Sequence, residues 1–122
     1  MKSLLLIAHG SRRAESNQEI EVLTGKLRRL AGDDYTQVAC AFLELAEPSI
    51  ESCIDSLVNG GESHIVCLPY FLAKGAHVAS DIPQAIESAR QKHPNITFTV
   101  SGYLGAADEV PDILMQLAAS AD

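Results

Sequence analysis

Tryptophan is absent, and aromatic residues make up only 5% of the 122-residue chain. A base-stacking nucleic-acid surface needs aromatic platforms, so that class of binding is disfavoured at once. Positive charge is scarce as well. Nine Lys and Arg stand against sixteen Asp and Glu, leaving a formal net charge of -7 and a pI of about 4.9. Such a field repels DNA and RNA, and an anionic small ligand would need a local cluster of cations to overcome it. No apolar stretch approaches the roughly 20 residues of a membrane span. The opening run to Ala8 is short for a signal peptide and meets His9-Gly10-Ser11-Arg12-Arg13 without a small-residue cleavage pattern. Cys40, Cys53 and Cys67 are odd in number, lie in apolar surroundings and form no Cys-x-x-Cys pair. They read as reduced, buried side chains rather than a disulfide framework or a zinc knuckle. The expectation is a cytoplasmic protein with no nucleic-acid or membrane partner.

What is present is a regular alternation. The hydrophobic fraction is 47%, enough for one domain, residues 1–122, to bury a core. Leu4–Ala8, Gln37–Leu43, His64–Pro69 and Ile96–Ser101 are continuous apolar runs, as expected of strands covered on both faces. Between them lie helix-period segments. Ile20, Leu23, Leu27 and Leu30 share a stripe from about Ala14 to Leu30. Pro48 near a first position, then Ile50, Cys53, Ile54, Leu57 and Val58, and a stop at Asn59-Gly60, predict a second helix. A third runs from about Val78 to Lys92, and a fourth from about Asp108 carries Val110, Ile113, Leu114 and Leu117. Four βα units predict an α/β fold: a three-layer, open, parallel four-stranded sheet with helices on both faces.

In such sheets ligands bind beyond the carboxyl ends of the strands. That rule gathers His9 to Arg13 after strand one and Glu44 after strand two. It adds Lys74, Gly75, His77 and Asp81 after strand three, and a Gly-rich turn after strand four. Two imidazoles and a carboxylate on one edge suit either of two chemistries. Imidazole is a common ligand of mid-row divalent metals, and it is also the usual general base. Two nitrogen donors and one carboxylate make a poor permanent cage, since structural zinc takes four ligands and catalytic zinc three. A metal held briefly and handed on fits better than metal-dependent hydrolysis. His64, opening a strand, and His93, closing a helix, read as structural.

The three connections are specific as a set. "LLLIAHGSR", "AFLELAEPSI" and "IVCLPYFLAKGAHVASDIP", in that order, resemble the class II chelatases of tetrapyrrole biosynthesis, and most of all the short sirohydrochlorin cobaltochelatases. The resemblance spans the chain. It implies insertion of a divalent metal into sirohydrochlorin with loss of two pyrrole protons. The metal is then a substrate (Co2+ favoured, Fe2+ or Ni2+ its competitors) and no cofactor is tightly bound. His9 and His77 match the family's metal histidines, with His9 also accepting protons. Glu44 matches the carboxylate facing the substrate, and Phe71, Leu72, Ala73, Lys74, Gly75 and Ala76 match the loop lining the macrocycle. With Ser11 and Arg12 these form the expected substrate contacts, and Arg12, Arg13 and Lys74 would supply the local positive field for a polycarboxylate. The resemblance also implies a homodimer, because a tetrapyrrole is broader than one small sheet edge. Some relatives carry a Gly-His-Pro-like element after strand four. Here Gly102 to Asp108 contains no histidine, so no third histidine is carried over.

Two rival readings remain. A carrier could keep the fold and bind the tetrapyrrole or metal without turning it over. A histidine-phosphatase-like enzyme would account for the His-Gly pair, but Ala8 stands where its phosphate-holding arginine would be, and the chain is short for that fold.

Overall fold

A computed structural model describes residues 1–121, and in it strands and helices alternate as β1 (Lys2–Ala8), α1 (Ala14–Ala31), β2 (Gln37–Phe42), α2 (Ile50–Asn59), β3 (His64–Pro69), α3 (Ile82–Lys92), β4 (Thr97–Val100) and α4 (Val110–Ala119). The sheet is wholly parallel, in the order β2-β1-β3-β4. The expected α/β class is therefore borne out. The chain steps left from β1 to β2, then right to β3 and β4, so right-handed crossovers put α1 on one face and α2 and α3 on the other. The direction of winding reverses between β1 and β3. Open parallel sheets take their ligands outside the carboxyl edge at such a reversal.

One face holds the main core. Leu5, Ile7, Ala41, Ile65, Cys67 and Phe98 meet the inner stripes of α2 (Ile50, Cys53, Ile54, Leu57) and α3 (Ile82, Ile86, Ala89). Each fully buried aliphatic side chain contributes about 1.5–3 kcal/mol, so this layer dominates stability. Burial pushes the Cys53 thiol up to about 11 and Cys67 up to about 12, so both stay protonated and unreactive at neutral pH, as their apolar surroundings suggest. All three cysteines are free, Cys40 being half-buried. His64 Nε2 lies 2.8 Å from Thr99 Oγ1, and His93 Nε2 lies 2.9 Å from Asp55 Oδ1, so each ring has a side-chain partner within the fold.

Several element boundaries differ from the sequence expectation for clear reasons. Ser49 caps α2, its side chain accepting the Ser52 amide at 3.1 Å, so Pro48 precedes the cap instead of opening the helix. The third segment begins as a π-helical turn, His77–Asp81, closed by the Ile82 amide on the His77 carbonyl. In α1, Thr24 is the buried residue and Leu30 is 83% exposed. At 3.6 residues per turn, Leu30 lies about 90° from the line through Ile20, Thr24 and Leu27.

The second face is less complete. α1 packs over β2, but along β3 burial alternates strictly, with Ile65, Cys67 and Pro69 buried and His64, Val66 and Leu68 half-buried. That is the pattern of a strand sealed on one side only. α4 buries none of its residues, although it carries the expected apolar stripe. No described helix is long and apolar enough to cross a membrane.

Candidate functional site

The ladder around β1 does not stop where the strand does. The Leu43 amide donates to the Ala8 carbonyl at 3.0 Å and the Glu44 amide to the His9 carbonyl at 3.1 Å, while on the other side the Tyr70 amide reaches Ile7 at 2.8 Å. His9 and Glu44 thus sit on a hydrogen-bonded extension of the sheet, at its carboxyl edge. Gly10 is required there. Its φ is +94°, and a Cβ would fall 1.8 Å from the Glu44 carbonyl oxygen. Beyond Glu44, Leu45 takes a left-handed φ of 66°, an outlier of the kind found at functional loops.

His9 Nδ1 donates to the Gly10 carbonyl at 2.9 Å, since a carbonyl can only accept. In the neutral ring Nε2 then carries the lone pair. It faces Glu44 Oε2 across 3.8 Å, too long for a hydrogen bond, and with the neutral ring two acceptors then confront each other. Such a pair attracts a cation or an N–H group. Both side chains are about half exposed, so solvent reaches them.

The loop after β3 brings the second imidazole. The His77 and His9 ring centroids are 4.7 Å apart, tilted by 53°, and Phe71 flanks His77 at 6.4 Å. The π turn sets Asp81 four residues on, where its Oδ2 accepts from His77 Nδ1 at 2.6 Å. A carboxylate on one nitrogen fixes the tautomer and leaves the other free as a ligand. The sequence gathers Asp81 at this edge, and the π turn makes it the partner of His77.

The remaining expected contacts occupy varied positions. Ser11 is tied into a turn: its amide and carbonyl both engage the Asn17 side-chain amide, and its Oγ accepts the Arg13 amide. Arg12 is exposed, and Arg13 pairs on the surface with Glu15 at 3.5 Å. Leu72, Ala73, Lys74, Gly75 and Ala76 are exposed along the loop. Lys74 also lines, with Arg90 and Tyr103, an open groove of 640 Å³ between α3 and β4. The turn after β4 is pinned to this loop, the Gly105 amide donating to Phe71 at 2.9 Å. Leu45, Tyr70, Leu72 and Leu104 add exposed apolar side chains to the connections around the donors. Among the described residues, no three His, Cys, Asp or Glu side chains close into a metal cage.

A parallel 2-1-3-4 sheet with donor side chains at its switch point is the architecture of a chelatase-type α/β domain. The chain belongs to the CbiX family, whose model matches residues 3–121. The kinship with class II chelatases implied by the three motifs is thus borne out. The chain is 33% identical over 114 residues to a sirohydrochlorin cobaltochelatase of Priestia megaterium, covering 93% of this chain and 36% of that protein. It is 32% identical over 111 residues to the chloroplastic sirohydrochlorin ferrochelatase of Arabidopsis thaliana, covering 91% and 48%. It therefore spans about a third to a half of the length of these curated relatives. The crystal structure of a CbiX protein from Marinobacter aquaeolei VT8 matches over 98% of this chain and 95% of that one, with 26% identity and a TM-score of 0.81.

Proposed function

We propose that this chain inserts a divalent metal into sirohydrochlorin, with the metal as substrate and His9, Glu44 and His77 as the working groups. The observation that carries this reading is the pair of facing acceptors, His9 Nε2 and Glu44 Oε2, 3.8 Å apart and beside the second imidazole. Both curated relatives named above act on sirohydrochlorin. Metal entry expels two inner pyrrole protons from the macrocycle, and those protons leave reluctantly. The free Nε2 of His9 accepts one as the incoming dication replaces it. Glu44, open to solvent, accepts the other and passes it to water. His77, oriented by Asp81, holds the metal with His9 before transfer, and the sparse donor set lets it go.

The exposed apolar side chains at Leu45, Tyr70, Leu72 and Leu104 suit the face of a flat macrocycle. The loop from Phe71 to Ala76 lies along it, and Ser11 shapes the turn that presents His9. Arg12 and Lys74 are the free cations for its carboxylates, offsetting the net charge of -7. Co2+ is the proposed metal, on the likeness of the three motifs to short cobaltochelatases. The relatives divide between cobalt and iron, and imidazole donors take Fe2+ and Ni2+ as well. Competitive insertion among the three metals assigns it. A macrocycle broader than one sheet edge also calls for a second copy of the chain, in keeping with the preference of ligand sites for interfaces.

The test is spectroscopic. Sirohydrochlorin mixed with Co2+ and the purified chain should change its absorbance spectrum faster than the uncatalysed mixture. His9→Ala should abolish that acceleration while the macrocycle still binds. Binding without acceleration by the unaltered chain would mean a carrier, and the proposal would fail.

A further inference from the structure

The side chains of the candidate site are held in place unequally. His9 and Glu44 stand on the extended ladder, the Glu44 amide bonded to the His9 carbonyl at 3.1 Å. His77 opens the π turn that runs directly into α3, its carbonyl taking the Ile82 amide and its Nδ1 bonded to Asp81. The loop between β3 and that turn has far less to hold it. Every residue from Leu72 to Ala76 is exposed, Leu72 by 75%. Phe71 packs half-buried against the core, and the loop is next tied down where the Ala79 amide meets the Gly75 carbonyl.

One contact from outside the loop bridges this gap. The turn Leu104–Ala106, from which α4 departs, is seated on the sheet, because the Ser101 amide continues the β4 ladder onto the Cys67 carbonyl at 3.0 Å. From that turn the Gly105 amide donates to the Phe71 carbonyl at 2.9 Å. The two backbones meet closely. A Cβ at Gly105 would lie 1.7 Å from the Leu72 carbonyl oxygen, 2.4 Å from its carbonyl carbon and 2.9 Å from its Cα. Ordinary contact begins at about 3.4 Å, so a side chain at 105 would push the loop outward by about 1.7 Å. Gly105 is therefore glycine for proximity. Gly102, in the same connection, is not, since a Cβ there would meet nothing within 4 Å. The contact joins the two segments that carry Leu72 and Leu104, both exposed.

We infer that Gly105 is a positioning residue for macrocycle binding: its main-chain clamp on Phe71 and Leu72 holds the loop ready, while the metal donors are held independently of it. A loop fixed in advance spares the ligand the entropy of ordering it, so the clamp acts on macrocycle affinity. His9, Glu44 and His77 keep their places through the sheet ladder and α3, so metal affinity is untouched. One added methyl group then separates the two. The inference rests on the proposed reaction for the identity of the ligand, and on the backbone contacts alone for the clamp.

Gly105→Ala should raise the KM for sirohydrochlorin about tenfold or more, with a smaller change in kcat. Titration with Co2+ alone should match the parent chain. Gly102→Ala should match the parent in both. Loop position is read without any macrocycle: tryptic cleavage after Lys74 should be about tenfold faster in Gly105→Ala than in the parent or in Gly102→Ala. Should Gly105→Ala not fold, hydrogen exchange in the unaltered chain decides, where the Gly105 amide should exchange far more slowly than the Ala73 amide in the exposed loop. Equal exchange at those two amides would overturn the inference. So would unchanged cleavage or an unchanged KM in Gly105→Ala, and so would an equal loss of metal and macrocycle affinity, which marks a general distortion. A parent chain that binds no sirohydrochlorin, with cleavage accelerated in Gly105→Ala, would overturn the proposed reaction and support the clamp.

Discussion

Gly10→Ala is the substitution whose consequences can be worked furthest. Alanine at a φ of +94° leaves the range that side-chain-bearing residues favour, at about 1–2 kcal/mol. Its Cβ would meet the Glu44 carbonyl oxygen at 1.8 Å, with the Glu44 carbonyl carbon at 3.1 Å and Phe42 Cβ at 3.2 Å. Ordinary contact begins at about 3.4 Å, so one backbone segment must retreat by about 1.6 Å. The obstacle is backbone and cannot swing aside like a long side chain. The retreat pulls at the bond from the Glu44 amide to the His9 carbonyl, now 3.1 Å, whose loss adds about 1 kcal/mol or more. Together the penalty is about 2–4 kcal/mol. For a chain of this size each kcal/mol corresponds to about 3–6 °C, so the midpoint should fall by roughly 10–20 °C. Thermal unfolding followed by circular dichroism measures this directly. Metal insertion, followed below the new midpoint, should drop as well, because His9 and Glu44 are displaced relative to each other. A midpoint within about 2 °C of the parent, with insertion intact, would refute the close-approach reasoning.

Three other outcomes are expected. Glu44→Gln should slow insertion at least tenfold while the melting midpoint stays within about 2 °C, because the side chain is half exposed and supports no core contact; a large stability loss would instead assign Glu44 to packing. Asp81→Ala should weaken metal binding about 10–100-fold by removing the acceptor that orients His77, read by titration with Co2+ alone; unchanged binding would remove Asp81 from the site. The third concerns acid stability. Hydrogen bonds from Lys92 and His93 hold the Asp55 carboxyl below its ordinary value, and the bond to Asp55 raises Lys92. A depressed carboxylate adds stability above its unfolded pKa, about 3.9, and loses it as pH falls through the lower folded value. Asp55→Asn should therefore flatten the decline in melting midpoint below about pH 4, and an unchanged acid limb would show that the cluster is energetically idle.

Legibility differed from element to element, for physical reasons. α2 could be read from its stripe because its face meets a complete layer, and period and burial agree there. In α1 the apolar pattern alone placed Leu30 inward, whereas a polar residue, Thr24, occupies the contact line with its hydroxyl bonded to the Ile20 carbonyl at 2.7 Å. Helix periodicity counts apolar residues and misses a threonine that satisfies itself locally. The convergence of His9, Glu44 and His77 followed from one rule about parallel sheets. The partnership of His77 with Asp81 depended on a π turn, and no residue pattern in the chain announces a turn of that kind.

Composition and alternation by themselves determined the α/β class, the edge on which donors gather and the inertness of the buried thiols, because burial and strand polarity are local averages that any apolar pattern must obey. The tertiary structure alone decided which nitrogen of His9 is free, how near Glu44 comes to it, and that α4 stands away from its own sheet. Those depend on single hydrogen bonds and on two glycine contacts between segments more than thirty residues apart, Gly10 with Glu44 and Gly105 with Leu72. Such distances are set by the packing of the whole chain.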